Sequence, residues 1–440
     1  MKNQPFWQTI TSGFRWLAVG IGIKRWLLLL GAGGVFAGIG IAYLVTSFYR
    51  AGWLPAFIYD IIFLGKLPLW QRILILLSVG SGMILLALWR LGNNLVAPFR
   101  TMDQSVLGSL VDHNRLGRGV RVVAIGGGTG LPSLLRGLTA HTRNITAVIT
   151  VADDGGSSGR LRQQLGVLPP GDFRNNIAAL SRDEALMTQL LQYRFGGMDE
   201  ALRGHAFGNL LLAALADIAG SFDEGLIAAE RVLAMRGRVL PSTLTAVTLT
   251  ADIEVETTHS TGSVRTVQHV IGESAIPKAD GRVLHVALDP PTARAYPQAI
   301  QAILQADVVV MGPGSLYTSI LPNLLVGGIT EALQRTRALK IYVCNIATQP
   351  GETDGYTAAD HVNAIIAHTS PACVDVVLAN NRLTGFPENT RSKIVQVGEV
   401  INGRLHTADL IDESKPWRHD SDKVATAVLA LLKNKKSQTS

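Results

Sequence analysis

The segment that most restricts how this chain can fold is Gly126-Gly127-Gly128-Thr129-Gly130, taken together with its two flanks. Before it runs Val120–Ile125, apolar and β-branched. After it, Leu131–Leu138 places apolar residues at helical spacing, with Pro132 in the first turn, where its missing N–H would have no helical partner anyway. Strand, glycine turn and helix in that order make half of a parallel βαβ unit. Parallel sheets of such units are covered by helices on both faces, so their strands read as unbroken apolar runs. Further runs of that kind are Ile145–Val151, Val283–Leu288, Asp307–Met311, Lys340–Asn345 and Cys373–Leu378. Leu- and Ala-rich sequence from about Asn175 to Arg236 predicts a helical insertion, and Thr- and Val-rich Leu240–Ile271 a β excursion. The pattern predicts an α/β fold with a doubly wound, mostly parallel sheet over residues 120–432, followed by a flexible polar tail at 433–440.

The N-terminal part follows a different rule. No charged side chain interrupts Leu27 to Tyr49, a run longer than the roughly 20 residues with which a helix crosses a bilayer. Ile73–Trp89 is a second uncharged run, flanked by Arg72 and Arg90, whose long side chains can reach outward to the interface. The expectation is a membrane anchor over residues 1–91, with transmembrane helices at about 27–49 and 73–89, and a linker over 92–119. Phe48-Tyr49-Arg50 lacks the small residues of a signal-peptide cleavage site, so the first span is expected to persist. Lys2, Arg15, Lys24 and Arg25 precede the first span, Arg90, Arg100, Arg115, Arg118 and Arg121 follow the second, and only Arg50, Lys66 and Arg72 lie between. By the positive-inside rule the N-terminus and the main domain face the cytoplasm from a multi-pass position in the plasma (inner) membrane. The small-residue pairs Gly34/Gly38 and Ser78/Gly82 permit close approach of helices, within one chain or in a homodimer.

This division explains the averages. The chain of 440 residues is 47% hydrophobic and 17% charged with a net charge of +7, and its mean hydropathy is +0.25. The first 121 residues hold twelve Lys and Arg against three Asp and Glu, which leaves the remainder slightly acidic. Nucleic acid, which needs its basic patch on the folded domain, is therefore not an expected partner. Two cysteines, Cys344 and Cys373, cannot form a disulfide framework or a zinc site and read as small core residues.

Five loops carry the chemistry. In an open α/β sheet, ligands lie beyond the carboxyl ends of the strands, and glycine lets the backbone approach phosphate oxygens. Gly126, Gly127, Gly128, Thr129 and Gly130 suit that role, although they form neither a Walker A sequence nor a GxGxxG, which weakens the case for NAD. Asp153 and Asp154 end the next strand, where an acid can hold a ribose hydroxyl or, beside phosphate, Mg²⁺. Gly156, Ser157 and Ser158 follow as a second anion nest, with Arg160 and Arg162 nearby in sequence. In the third loop Asp172 reads as a helix N-cap, with Arg174 and Asn175 beside it. The fourth, Gly312-Pro313-Gly314-Ser315-Leu316-Tyr317-Thr318, repeats the strand, glycine and hydroxyl design, with Gly312, Gly314, Ser315 and Thr318 as phosphate candidates. The fifth, Thr348–Asp354, is expected to face the same crevice. His205 and Asn209, four apart, share a face if helical and suit hydrogen bonding to a ligand.

With those residues in view, the chain resembles the YvcK/CofD family, and within it the gluconeogenesis-factor (YvcK) branch. The matching stretches are AIGGGTGLPSLLRGL, TVADDGGSSGRLR, LPPGDFRNNIAALS, GHAFGNLLLAAL, VMGPGSLYTSILPNLLV and CNIATQPGETDGYTAADH, spread in order over most of residues 120–380. The resemblance implies a Rossmann-like fold holding a nucleotide-type ligand, in this branch a nucleotide sugar such as UDP-N-acetylglucosamine. It also implies a role in cell shape and peptidoglycan supply during gluconeogenic growth. The sister branch implies instead a Mg²⁺-dependent transferase that moves a phospholactyl-type group from a nucleotide diphosphate donor. By either likeness Gly126 to Gly130 and Gly312 to Ser315 would hold phosphates, and Asp153 and Asp154 the metal or ribose. Residues 381–410 carry none of these motifs, and no ligand contact is assigned there. The expected function is a membrane-tethered nucleotide-sugar-binding regulator that acts on a protein partner in envelope synthesis. The rival reading is the transferase, and no catalytic residue is assigned.

Overall fold

The computed structural model describes residues 23–96, 116–117, 119–196, 202–259, 262–384, 386, 390–399 and 404–439. The chain divides into two compact units between Leu116 and Gly117. The first contains α1 (Ile23–Arg50), α2 (Ala56–Ile62) and α3 (Leu69–Val96). Pro55 opens α2, and the bend before it is held by aromatic stacking, Phe48 on Trp53 at 5.8 Å and Tyr49 on Tyr59 at 4.2 Å between ring centroids. Val35, Phe36, Ile39 and Tyr43 stand 50–76% exposed on α1 and form an exposed apolar surface. Among the described residues one helix is long and apolar enough to cross a membrane, over Gly31–Arg50; the apolar stretch of α3, Leu69–Ile84, falls short of that length. Of the two expected transmembrane helices, one is met by a candidate among the described residues; the second apolar run lies within the helix α3, and its side chains beyond Ile84 fall largely outside the described residues.

The second unit is built on a seven-stranded parallel sheet. Its strands are β1 (Val122–Gly126), β2 (Ile145–Ile149), β3 (Arg238–Pro241), β7 (Val308–Met311), β8 (Leu339–Val343), β9 (Val376–Asn380) and β10 (Leu405–Ala408), in the order β10-β9-β8-β7-β1-β2-β3. Every residue of β1, β7 and β8 is buried, because helices cover both faces. α4 (Leu131–Thr139) follows β1 and packs against the C-terminal α14 (Ser421–Thr439). A methyl at Gly137 would lie 1.9 Å from the Ser421 carbonyl oxygen, so only glycine lets these two helices approach so closely. α14 continues past Lys433, where composition alone places a flexible tail.

Between β2 and β3 come α5 (Gly156–Leu165), α6 (Pro170–Leu180), α7 (Glu184–Gln192), α8 (Phe207–Ala219) and α9 (Phe222–Val232), the helical insertion expected there. β4 (Thr248–His259), β5 (Gly262–Ile271) and β6 (Arg282–Asp289) form a separate antiparallel sheet in the order β5-β4-β6. Val283–Leu288 thus belongs to this excursion and not to the main sheet, while β3, at the start of the predicted excursion, belongs to the main sheet. The burial of β6 alternates where that of β1 does not, as expected of a strand in an antiparallel sheet with one face open. α10 (Pro297–Gln305), the short α11 (Leu321–Leu324), α12 (Ile329–Arg335) and α13 (Ala358–His368) complete the layers, with β11 (Ile411–Asp412) and β12 (Lys415–His419) as a small hairpin. Cys344 and Cys373 are buried free thiols.

Candidate functional site

From β1 the chain winds one way across the sheet to β3, and from β7 it winds the other way to β10, so the order reverses between β1 and β7. That reversal opens a crevice at the carboxyl ends of the strands, the place where open α/β sheets hold ligands. Ile125 pairs with Met311 and Gly126 with Ile149, so the loops after β7, β1 and β2 leave the sheet at one level. The two glycine loops flank the crevice and touch: a methyl at Gly130 would lie 2.4 Å from the Pro313 carbonyl oxygen.

The first loop is gripped through its carbonyls. Those of Gly126, Gly127 and Gly128 accept hydrogen bonds from the side-chain amides of Asn323 (2.9 Å), Asn176 (3.0 Å) and Asn175 (3.0 Å). A methyl at Gly128 would stand 2.4 Å from Asp172 Oδ1 and one at Gly127 2.5 Å from Ser319 Oγ, so no side chain fits between the loop and its supports. Asp172 is not the N-cap of α6, which is Pro169. It lies in the first turn, and its carboxylate accepts the Gly128 N–H.

The second loop divides its acids. Asp154 Oδ1 accepts from the Ser274 N–H at 2.9 Å and faces the turn after β5, whereas Asp153 Oδ1 accepts from the Gly155 N–H at 2.9 Å and faces α6. Ser157 and Ser158 are buried at the start of α5. Ser158 Oγ accepts from the Gly171 N–H at 3.1 Å. Ser157 Oγ lies 3.0 Å from His205 Nδ1 and accepts from Asn209 Nδ2 at 3.1 Å, and Asn209 Oδ1 takes a hydrogen bond from the buried Arg174 guanidinium at 3.0 Å. Arg174 also donates to Asn175 Oδ1, at 3.0 and 3.2 Å. His205 precedes α8 and does not share a helix face with Asn209; the two meet at Ser157 instead. Burial and nearby Arg160 hold the His205 imidazole below its ordinary pKa, which suits an acceptor for the serine hydroxyl. Arg160 and Arg162 are engaged elsewhere, with the Arg203 carbonyl and the Thr248 hydroxyl.

In the fourth loop Ser315 donates to the Glu352 carboxylate and accepts from the Thr318 backbone and hydroxyl, at 3.1 and 2.7 Å. Both hydroxyls are consumed in locking the fourth loop to the fifth, so they support the loop in place of facing outward to a ligand. Asn345, just beyond β8, exchanges two hydrogen bonds with the backbone of Gly314, at 2.9 and 3.1 Å.

Carboxylates crowd this edge of the sheet. Burial, then the Asp153 charge, pushes Asp172 from 3.8 up to about 7. Burial and the charges of Asp153, Asp172, Asp154 and Glu352 push Glu273 up to about 8. Asp153 is raised by burial above all. Like charges held together without water favour either a shared proton or a bound cation. Among the described residues no three acidic, His or Cys side chains stand as a metal cage. Asp153 with Asp172 instead fits Mg²⁺, a hard cation that takes one or two carboxylates and completes its shell with phosphate oxygens and water.

The structure therefore brings the first, second, third, fourth and fifth loops to one edge. Asn176, Asn323, Asn345 and Glu273 join them, none of them a candidate from sequence: Asn176 sits beside the candidate Asn175, Asn323 and Asn345 are single asparagines inside apolar segments, and Glu273 arrives with the antiparallel excursion. A separate cleft of about 750 Å³, lined by Leu168, Leu210, Ala213, Phe222 and Leu244 among others, includes none of the glycine-loop residues.

Comparison with known proteins agrees with this geometry. The family model described as 2-phospho-L-lactate transferase CofD matches residues 122–434. A relative from Nostoc sp. is 46% identical over 440 residues, covering 96% of this chain and 92% of its own length. The gluconeogenesis factor of Bacillus subtilis is 43% identical over 334 residues, covering 72% of this chain and 100% of its own. A crystal structure of a UPF0052-family protein from Bacillus halodurans matches with a TM-score of 0.62 at 42% identity, covering 70% of this chain and 99% of that one. The parallel sheet, its glycine loops at the switch point and the extent of these matches establish that the chain belongs to the CofD family, alongside the gluconeogenesis factors.

Proposed function

We propose that this chain is a membrane-tethered regulator that binds a nucleotide sugar of the UDP-N-acetylglucosamine class. In this reading it adjusts peptidoglycan supply and cell shape during gluconeogenic growth through a protein partner in envelope synthesis. The observation that carries the reading is the pair of glycine loops across the β1/β7 switch point, close enough to accept two linked phosphates at once. The kinship with gluconeogenesis factors supports the physiological part. The exposed apolar face of α1 supports the anchor in the plasma membrane, and the Lys and Arg that flank the apolar runs support a cytoplasmic nucleotide domain. Calorimetry of the full chain with UDP-N-acetylglucosamine, UDP and GDP tests it: saturable UDP-sugar binding is expected, and no heat with any of them would refute it.

A second reading is favoured by the Asp153–Asp172 pair, which suits Mg²⁺ beside phosphate, and by the description of the family model. In it the chain transfers a phospholactyl-type group from a nucleotide diphosphate donor. Release of nucleoside monophosphate that requires Mg²⁺ and is lost in Asp153→Asn would decide for it over the regulator.

A further inference from the structure

Asn176 and Asn323 are both fully buried, at 0% exposure, and lie on different helices, α6 and α11. They nevertheless do the same thing. Asn176 Nδ2 donates to the Gly127 carbonyl at 3.0 Å and to the Asp172 carbonyl at 2.8 Å. Asn323 Nδ2 donates to the Gly126 carbonyl at 2.9 Å and to the Ser319 carbonyl at 2.7 Å. In each case the second acceptor lies four residues earlier on the same helical stretch. In each case, too, the side-chain oxygen Oδ1 is buried with no hydrogen bond. An unmatched buried carbonyl lowers stability, so an amide here is a poor choice for packing alone.

What the amides achieve is orientation. A peptide group is planar and trans, so fixing its carbonyl also fixes the N–H on the opposite side. Asn323, Asn176 and Asn175 hold three successive carbonyls, of Gly126, Gly127 and Gly128, and thereby set the N–H groups of Gly127, Gly128 and Thr129. Glycine-rich backbone has no stiffness of its own to do this. One of these donors already faces a carboxyl group, that of Asp172, which lies against Gly128.

We infer that Asn176 and Asn323 are positioning residues that hold the glycine loop as a preformed nest for the diphosphate of a nucleoside diphosphate ligand. The inference rests on the phosphate reading given under Proposed function, and it adds that the affinity for phosphate is set by two buried amides that never touch the ligand. A nest that is already ordered binds more tightly than one that must be ordered by its ligand.

The test uses the full chain, wild type and the variants Asn176→Ala and Asn323→Ala, titrated with UDP and with uridine. Each variant should lose about tenfold or more in affinity for UDP, the scale of one charge-assisted hydrogen bond, and keep its affinity for uridine. Equal weakening of both ligands would mean a merely structural role and would overturn the inference, as would unchanged UDP affinity in both variants. Wild-type protein that binds neither UDP nor GDP would instead overturn the phosphate reading, and this inference with it. Should the alanine variants fail to fold, Asn176→Ser and Asn323→Ser, whose shorter side chains leave the loop carbonyls without their amide donors, are titrated in the same way: a loss confined to UDP supports the role, and equal weakening of UDP and uridine, or unchanged UDP affinity, refutes it.

Discussion

Replacing Asp172 by asparagine should stabilise the ligand-free protein at pH 8 and leave it unchanged near pH 4. Asp172 is raised from 3.8 to about 7 by burial and by the neighbouring Asp153. Between those two values the unfolded chain has released this proton while the folded protein keeps it. The folded state therefore binds more protons, and stability falls as pH rises from about 4 through about 7, with the loss complete above that. Roughly 3 pH units at 1.36 kcal/mol each set an upper bound of about 4 kcal/mol. The amide of the Asp172→Asn variant would carry no charge, and its oxygen could still accept the Gly128 N–H, so most of that penalty should disappear. At about 2 °C per kcal/mol for a unit of this size, the midpoint of the variant should lie on the order of 5–8 °C above wild type at pH 8. The assay is thermal unfolding of both proteins at pH 5, 6, 7 and 8 with divalent cations chelated. The difference between the proteins is the diagnostic quantity, because the buried histidines act in the opposite sense. His419, lowered by burial to about 4, makes stability rise with pH between about 4 and 6.5 in both proteins, and this cancels. A variant less stable than wild type at pH 8, or a gap that does not narrow as pH falls, would refute the account of the carboxylate cluster.

Mg²⁺ should raise the unfolding midpoint of wild type more at pH 8 than at pH 6, by an amount that grows with the logarithm of its concentration, and Asp153→Asn should abolish the shift; an equal shift in the variant would place the ion elsewhere. Gly128→Ala should cost about 1–3 kcal/mol by overpacking and eliminate phosphate-ligand binding, since its methyl meets Asp172 at 2.4 Å. Gly155→Ala, whose methyl meets nothing nearer than 3.4 Å, is the tolerated control in the same denaturation and binding measurements. Ser315→Ala removes the hydroxyl that donates to the buried Glu352 and should cost roughly 1.5–3 kcal/mol in chemical denaturation; a change within about 0.5 kcal/mol, the scale of an ordinary surface substitution, would mean that the fourth and fifth loops are not locked by this contact.

The parallel sheet was legible because its strands are buried on both faces and read as largely apolar runs: VVAIG, VVVM and LKIYV, the last interrupted by Lys340, coincide with predicted strands to within two residues. The loops were legible because glycine clusters at strand ends have few structural excuses. β6 was misassigned to the main sheet because a mostly apolar run of six residues, VLHVAL, looks the same in either sheet until its partner is known, and the partner is the antiparallel β4. The division of labour between Asp153 and Asp154 was hidden for a related reason. The two acids lie beyond β2, in the loop that follows Ile149, where no period-2 rule fixes their directions, and one faces α6 while the other faces the turn after β5. Asn323 was not legible at all, since LPNLL gives no local sign that its amide reaches the carbonyl of Gly126, almost two hundred residues away.

These features share a physical logic. A domain with a continuous apolar core does not need Asn176 and Asn323 with unmatched oxygens, nor Asp153 held near enough to raise the pKa of Asp172 and of Glu273. Each lowers the stability of the free protein, and they are concentrated at the carboxyl edge around the β1/β7 crevice. The two kinds of unfavourable group are complementary. The amides hold backbone donors in place for an anion, and the carboxylates wait for a cation or a proton. A guest that carries phosphate together with a divalent ion relieves both at once, whereas phosphate alone would face the carboxylates and a cation alone would keep water where phosphate oxygens can bind. The arrangement therefore implies that metal and phosphate bind cooperatively. Mg²⁺ should tighten UDP binding, and UDP should tighten Mg²⁺ binding by the same factor, a reciprocity that calorimetry of each in the presence and absence of the other can check. Independent binding of the two would mean that the acidic cluster and the glycine loops serve separate ends.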